Sequence, residues 1–210
     1  LADNSPNSYE KFVDKLLSSP KYGEHQARYW LDAIRYGDTH GLHLDNKRGI
    51  YPYRDWVVRA FNENLPINDF IIWQLAGDLL PNPTVTQKIA TGYVRMNPTT
   101  SEGGAIPDEF QAKNNFDRTE TLGTVMLGMT MSCARCHTHK YDPITHKEYW
   151  QFYAFLNNCD EPEFEIPDAA ITQRRNEQLK QVAQLESLLA GDLGKAKTPM
   201  EWRAATPLQA

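Results

Sequence analysis

Two cysteines and a histidine stand together in the order Cys133-Ala134-Arg135-Cys136-His137. Two thiols with two residues between them can each add to a vinyl group on the same edge of a porphyrin. The imidazole that follows can then ligate the iron. The pattern therefore predicts one covalently attached haem c, with Cys133 and Cys136 as the thioethers and His137 as the proximal iron ligand.

Two other kinds of site also use paired cysteines. A structural zinc site needs four ligands, here Cys133 and Cys136 with two of His139, His146 and Cys159, and the irregular spacing does not favour it. A redox-active dithiol needs the strand-to-helix junction of a βαβ unit, and the sequence has no such pattern. Haem c is the preferred interpretation, and the lone Cys159 is expected to be a buried free thiol.

The second axial ligand of the iron is open to more than one assignment. His40 and His43 lie in a stretch, residues 38–45, that is dense in His, Asp and Gly. We expect one of them to be the distal ligand, although the same loop could instead bind a substrate or a cation. His139 follows the proximal histidine by only two residues and cannot cross the ring.

Charged and polar side chains are expected around such a group. Arg35, Arg54 and Arg118 are candidates to neutralise the haem propionates through bidentate hydrogen bonds. His139 and Asp142 follow the motif closely, and with Arg54 they are expected to orient the ligand or the propionates.

The residues that must position this motif are predicted to be helical. Apolar side chains recur at helical spacing along most of the chain. Thr84 to Gln87 and Thr145 to Glu148 have the spacing of capping boxes, which indicates a helix start at each. The sequence predicts an all-α, cytochrome c-like fold of about seven helices around the haem, with long loops at residues 37–52, 97–107 and 137–143.

Composition divides the chain near its C-terminal end. Of the 210 residues, those after 166 include a single aromatic, Trp202, and no His or Cys. Val182, Leu185 and Leu189 recur at helical spacing within a stretch rich in Gln, Arg and Glu. We therefore predict a haem c-binding helical domain at residues 1–165, followed at 166–210 by an amphipathic helix and a linker to a further domain.

Charge and hydropathy exclude several classes of protein. The net charge of −5 does not favour nucleic-acid binding, which needs clustered Lys and Arg. No apolar run approaches the roughly 18 residues that a membrane span needs. The chain begins without Met and without a signal peptide, so we expect it to be a fragment of a longer chain. Haem c is attached outside the cytoplasm, which predicts a periplasmic, cell-surface or secreted location.

Further short segments accompany the cysteine motif in a fixed order along the chain. They are Gly23-Glu24, Trp30-Leu31-Asp32, Arg35-Tyr36, Asp38, Pro52-Tyr53-Arg54-Asp55-Trp56, Gln74-Leu75-Ala76-Gly77-Asp78-Leu79-Leu80-Pro81, Ala90-Thr91-Gly92, Glu102-Gly103-Gly104, Asp117-Arg118 and, after the motif, His139-Lys140-Tyr141-Asp142-Pro143-Ile144. This order resembles the planctomycete cytochrome C-like domain, over about residues 8–162. The resemblance implies haem c, a large secreted multidomain protein with another cytochrome-like domain, and redox work linked to polysaccharide breakdown. Many relatives have His at the position of Tyr29, so no role carries over to that residue.

The function expected from this sequence is single-electron transfer by an extracytoplasmic c-type cytochrome domain. Its partner would be a redox protein or a neighbouring cytochrome domain of the same chain. The main alternative is a haem enzyme with an open distal position, peroxidase-like or sugar-oxidising, that binds substrate in the loops at residues 37–46 and 99–106. A zinc-stapled interaction module is a third interpretation.

Overall fold

The computed structural model describes residues 5–166 and 168–193. In the described residues there are no strands, only two isolated bridges, Thr39 with Lys47 and Gly41 with Thr99. The all-α prediction is confirmed. The α-helices are α1 (Ser8–Leu17), α2 (Lys21–Ala33), α3 (Tyr51–Asn62), α4 (Ile67–Ala76), α5 (Val85–Ala90), α6 (Pro107–Leu127), α7 (His146–Asn157) and α8 (Ala169–Leu193), with short 3-10 helices at Gly77–Leu79, Thr91–Arg95 and Ser132–Arg135.

Both predicted capping boxes are present. The Thr84 hydroxyl accepts a hydrogen bond from the backbone N–H of Gln87 at 3.2 Å, and the Gln87 side chain accepts one in return from the Thr84 N–H at 2.9 Å. Thr145 and Glu148 make the same pair of bonds, at 3.2 and 2.8 Å. Each box satisfies backbone donors that a helix start would otherwise leave unpaired, so α5 and α7 begin where the sequence predicts.

The main core is built on aromatic side chains from α2, α3 and α4. The rings of Trp56 and Phe70 stack at 5.3 Å, and Trp30 meets Phe70 edge-on at 4.9 Å. The fully buried Gln74 accepts hydrogen bonds from the Tyr53 hydroxyl at 2.5 Å and the Trp30 indole at 3.1 Å. Its amide donates to the Phe70 carbonyl at 2.7 Å. Both polar atoms of this buried side chain therefore have hydrogen-bond partners.

A second, smaller core lies where the chain leaves α6 and enters α7. Its buried members are Met131, Ala134, Ile144 and Tyr149, and Phe116 of α6 packs against it. Ala134 belongs to the cysteine motif, so this core determines how the motif is held.

The chain divides into two compact units, residues 1–161 and residues 162–210. In the second unit, α8 lies within residues 166–210, where a helix was predicted, and Arg175 pairs with Glu165 at 2.9 Å. The linker predicted to follow the helix lies outside the described residues, which end at 193. Within the described ranges, no helix has the length and apolar character that a bilayer crossing requires.

Helices α2 and α3 approach closely at Gly23. A Cβ atom at this position would lie 2.4 Å from the Val58 carbonyl oxygen and 2.6 Å from Cγ of Asn62. The Asn62 side chain also accepts a hydrogen bond from the Gly23 N–H at 2.8 Å. Because one of the two obstacles is backbone, an added methyl group must push the helices apart.

We predict that Gly23→Ala lowers the free energy of unfolding by about 1–2 kcal/mol. Overpacking costs about 1–3 kcal/mol, and the better helix propensity of alanine offsets about 1 kcal/mol of it. Urea denaturation measures the change. Gly104→Ala is the matched control, because a Cβ at Gly104 meets nothing within 4 Å. Equal midpoints for wild type and Gly23→Ala would contradict the close approach.

Candidate functional site

The cysteine motif follows a sharp turn at the end of α6. Gly128 adopts the left-handed conformation, with φ of 64°, which glycine reaches without a steric penalty. The backbone N–H of Met129 then bonds back to the Gly123 carbonyl at 3.0 Å, which closes the helix end. Three residues after Gly128 the chain enters the 3-10 helix Ser132–Arg135.

The 3-10 helix gives the motif an inner and an outer side. Ala134 has no exposed surface, whereas Cys133 and Cys136 are exposed and free. Cys133 lies in the 3-10 helix and Cys136 is its C-cap, and because side chains three residues apart eclipse one another in such a helix, we expect the two thiols on the same side. The Arg135 guanidinium lies 3.4 Å from the centroid of the Phe116 ring, a cation–π contact that fixes the remaining side chain.

His137 holds its ring in a defined tautomer. Its Nδ1 lies 2.8 Å from the carbonyl oxygen of Thr138. A carbonyl can only accept, so Nδ1 carries the proton and the lone pair is on Nε2. The side chain is exposed, which leaves this nitrogen accessible beside the thiols. A histidine that ligates a metal through Nε2 commonly donates its other N–H in this way.

The ring of His139 is enclosed by the loop that follows the motif. Its side chain is 5% exposed, and its Nδ1 accepts hydrogen bonds from the backbone N–H groups of Tyr141 at 3.2 Å and Asp142 at 2.7 Å. Nε2 faces the Thr130 hydroxyl at 3.4 Å and the Asp142 carboxylate at 3.8 Å. Both ring nitrogens therefore hold the loop that follows the motif.

Asp142 connects the segment before the motif to the segment after it. Its carboxylate accepts hydrogen bonds from the hydroxyl of Thr130 at 2.9 Å and from its backbone N–H at 3.0 Å. These bonds favour the ionised form and hold the pKa of Asp142 below its ordinary value. Thr130 was not predicted from the sequence, because no local pattern indicates a bond across twelve residues.

The other predicted site residues form a separate group. His40 Nδ1 lies 2.7 Å from the Thr99 hydroxyl, and the His40 carbonyl accepts from the Thr99 N–H at 2.8 Å. His43 is exposed, and Arg54 pairs with Asp38 at 3.2 Å. Across residues 5–166, no hydrogen bond or ion pair joins this group to the motif. Most of the predicted site residues are thus brought together as two groups, and Arg35 and Arg118 belong to neither, since they pair with Asp117 and Glu161.

Arg48 anchors the loop at residues 37–52, which carries His40 and His43. This role of Arg48 was not predicted from the sequence. Its guanidinium donates to the backbone carbonyls of Gly37 at 3.3 Å, Arg95 at 3.2 Å and Asn97 at 3.0 Å. Burial is the main cause that lowers its pKa. The partners are all carbonyl oxygens, which every residue has, so the sequence carries no signal for them.

The side chains proposed for zinc are engaged elsewhere. His146 Nδ1 donates to the Ala134 carbonyl at 3.0 Å, and the Cys159 thiol lies 3.1 Å from the Phe155 carbonyl. Throughout the described ranges, no group of three or more His, Cys, Asp or Glu side chains could hold a metal ion. The expectation that Cys159 is buried is wrong, because it follows α7 on an exposed turn.

We predict that Thr130→Val raises the pKa of Asp142 towards its ordinary value, since the hydroxyl bond is lost and only the backbone bond remains. Carboxyl-carbon NMR titration measures the shift. Asp45 is an internal control, because the Thr39 side chain and the Gly41 N–H lower its pKa in the same way at a distant loop. An unchanged Asp142 titration would show that the hydroxyl bond contributes nothing.

Comparison with known proteins gives a single kind of match. No curated protein and no solved structure matches significantly. The family model PSCyt2, described as a protein of unknown function (DUF1549), matches residues 1–161. That range includes the cysteine motif and both groups of candidate residues, and it confirms the resemblance to the planctomycete cytochrome C-like domain. The chain belongs to the PSCyt2 family.

Proposed function

We propose that this chain is an extracytoplasmic c-type cytochrome domain that transfers single electrons through one haem c. Cys133 and Cys136 would form the thioethers, and His137 would be the proximal ligand. The observation that carries the proposal is the local geometry of the motif. Two free, exposed thiols stand three residues apart, one in the 3-10 helix and one at its C-cap, next to an exposed imidazole with an available Nε2.

Large side chains with apolar surface are exposed on both sides of the motif. Leu127 and Tyr141, in the segments on either side of the motif, are 52% and 82% exposed. Apolar side chains at such exposure are suited to cover a macrocycle. When bound, the haem supplies reversible one-electron chemistry at its iron.

The protein's own contribution is to position and tune the ligand. The hydrogen bond from His137 Nδ1–H to the Thr138 carbonyl fixes the ring and leaves Nε2 free to bind the iron. The stacking of Arg135 on Phe116 and the burial of Ala134 hold the thiols in place from the opposite side. The Thr130–Asp142 pair restrains the loop that follows.

The proposed location and partners follow from the same chemistry. Haem c is attached outside the cytoplasm, so the domain would act in the periplasm or at the cell surface. Its electron partner would be a separate redox protein or a neighbouring cytochrome domain of the same chain. The resemblance supports a link to polysaccharide breakdown as the setting of this electron transfer.

We predict that the exported protein, made with haem-maturation machinery, is heavier than the bare chain by one haem and gives a pyridine haemochrome spectrum. Replacing Cys133 and Cys136 together by alanine should abolish covalent haem. Cys159→Ala is the matched control, because this third free, exposed cysteine lies outside the motif, and it should retain the full mass increment.

A protein of bare chain mass from a competent host would contradict the proposal. A folded, colourless product that retains zinc would favour the interaction module instead. Loss of haem in Cys159→Ala as well would show that the cysteines act through folding rather than attachment.

We predict that either His40→Ala or His43→Ala converts a six-coordinate low-spin spectrum to a high-spin one, because the distal ligand is removed. Optical absorption in the oxidised and reduced states measures the change, and His25→Ala on α2 is the control. If neither variant alters the spectrum, the distal assignment is wrong. A high-spin spectrum in the wild type would favour the enzyme alternative over electron transfer.

A further inference from the structure

Helix α8 presents its aliphatic side chains to solvent. At residues 162–166 and 168–189, which include most of this helix, every residue is exposed. The large aliphatic side chains among them are each between 48% and 65% exposed: Ile171, Leu179, Val182, Leu185, Leu188 and Leu189. Most of the stability of a helix in a protein comes from the packing of its apolar face. Within the described part of the second unit, that packing is not supplied by the chain itself.

The aliphatic residues form a stripe along one side of α8. An α-helix has about 3.6 residues per turn, so residues 11 or 18 apart complete about three or five turns. Val182 and Leu189 therefore lie in line with Ile171. Leu185 lies beside this line, about 40° away, whereas Lys180 lies on the opposite side of the helix. A stripe with this spacing is typical of a helix that pairs with another helix.

Two residues of opposite charge lie on one edge of this stripe. Arg175 and Glu186 are 11 residues apart, and each lies about 40–60° from the line of Ile171. They follow the distribution of charge along the whole helix. Residues 169–181 contain three cations and one anion, whereas residues 182–193 contain two anions and no cation. Helix α8 is therefore basic in its first half and acidic in its second half.

The charges of α8 are not arranged to stabilise an isolated helix. The helix dipole is positive at the N-terminus, so acidic residues stabilise the first turn and basic residues stabilise the last. The first turn of α8 has no acidic residue, and its last turn has no basic residue. The same distribution of charge is complementary to itself when a second α8 runs in the opposite direction.

We propose that α8 pairs with α8 of a second copy of this chain, as an antiparallel two-stranded coiled coil. Ile171 of each copy packs against Leu189 of the other, so the two stripes overlap along their whole length. In this register Arg175 lies beside Glu186 of the second copy, on the same edge and at nearly the same height. Two-fold symmetry makes this contact twice. Charges that flank an apolar seam determine the orientation of paired helices.

A parallel pair of the same helices would bring like charges together. Arg175 would face Arg175 of the second copy, with Arg174 on the adjoining edge. Glu186 would lie beside Gln181 and would have no cation opposite it. Like charges side by side are destabilising, so the charge pattern favours the antiparallel pair.

Arg175 already has a partner within its own chain. It pairs with Glu165 at 2.9 Å, and the two side chains are 61% and 82% exposed. An ion pair with this exposure contributes little to stability. Arg175 can therefore exchange Glu165 for Glu186 of the second copy at small cost.

The test is analytical ultracentrifugation of the full chain from micromolar to submillimolar concentration, where we expect a monomer–dimer equilibrium. Helix α8 and the cysteine motif lie in different units, so the result does not depend on haem. Arg175→Glu and Glu186→Arg should each weaken self-association by about tenfold or more, because two attractive contacts become repulsive. An equimolar mixture of the two variants should associate as the wild type does, since each variant supplies the charge that the other lacks. Lys180→Glu is the matched control, a charge reversal on the opposite side of the helix, and it should keep wild-type affinity.

A second pair of variants tests the apolar seam. Leu189→Gln should weaken self-association, because symmetry removes the apolar contact with Ile171 at both ends. Glutamine and leucine have similar helix propensity, so the helix itself should be retained. Leu188→Gln is the control, because this neighbouring leucine lies about 100° from the line of the stripe.

A chain that stays monomeric at every concentration would overturn the proposal and indicate that another segment or another protein covers α8. Unchanged self-association of Glu186→Arg would exclude the antiparallel arrangement. A dimer that tolerates Arg175→Glu, Glu186→Arg and Leu189→Gln alike would show that the copies meet through a different surface, which also overturns the proposal.

Discussion

The orientation of the cysteine motif depends on the burial of one methyl group. Ala134 packs into the small core with Met131, Ile144 and Tyr149. With three residues per turn, a 3-10 helix that turns Ala134 inward must turn the residues on either side outward. A longer side chain at this position would not fit the same core, and the helix would have to rotate or lift. The exposure of both thiols is therefore a consequence of packing rather than of the cysteines themselves.

Helix α6 contributes side chains to both cores of the first unit. Phe116 faces the motif, while Leu122 belongs to the main core and Arg118 pairs with Glu161. The helix runs from Pro107, whose fixed φ suits a first position, to the turn at Gly128. A proline and a glycine thus set the two ends of the helix. Phe116 and Leu122 present apolar surface to the cores, and Arg118 presents a charged group.

Patterns among neighbouring residues predicted the helices and the motif. Contacts between distant segments could not be predicted from such patterns. The capping boxes at Thr84 and Thr145 need only a few consecutive residues, so they were visible in the sequence. The bond between Thr130 and Asp142 and the ties of Arg48 depend on how distant segments meet, and no spacing rule encodes them. The density of His around His40 indicated a loop with a functional role. The position of that loop depends on distant residues, such as Thr99 and Asn97, that contact it.

The end of α2 at Arg35 is another feature that neighbouring residues do not predict. A left-handed helix end is usually predicted from glycine, and here an arginine takes that place. Arginine ranks as a good helix former, so propensity would continue α2 through it. Only the tertiary position of the side chain accounts for the choice, and that position cannot be read from neighbouring residues.

The aromatic core gives the molecule an optical signature of its own. The ring planes of Trp56 and Phe70 are 14° from parallel, and the Trp30 indole donates hydrogen bonds to Tyr53 and Gln74. Rings in fixed, asymmetric surroundings produce near-ultraviolet circular dichroism, which disappears when packing loosens. This band lies well apart from visible absorption, so ordering of the helical scaffold can be followed independently of whatever pigment the polypeptide carries.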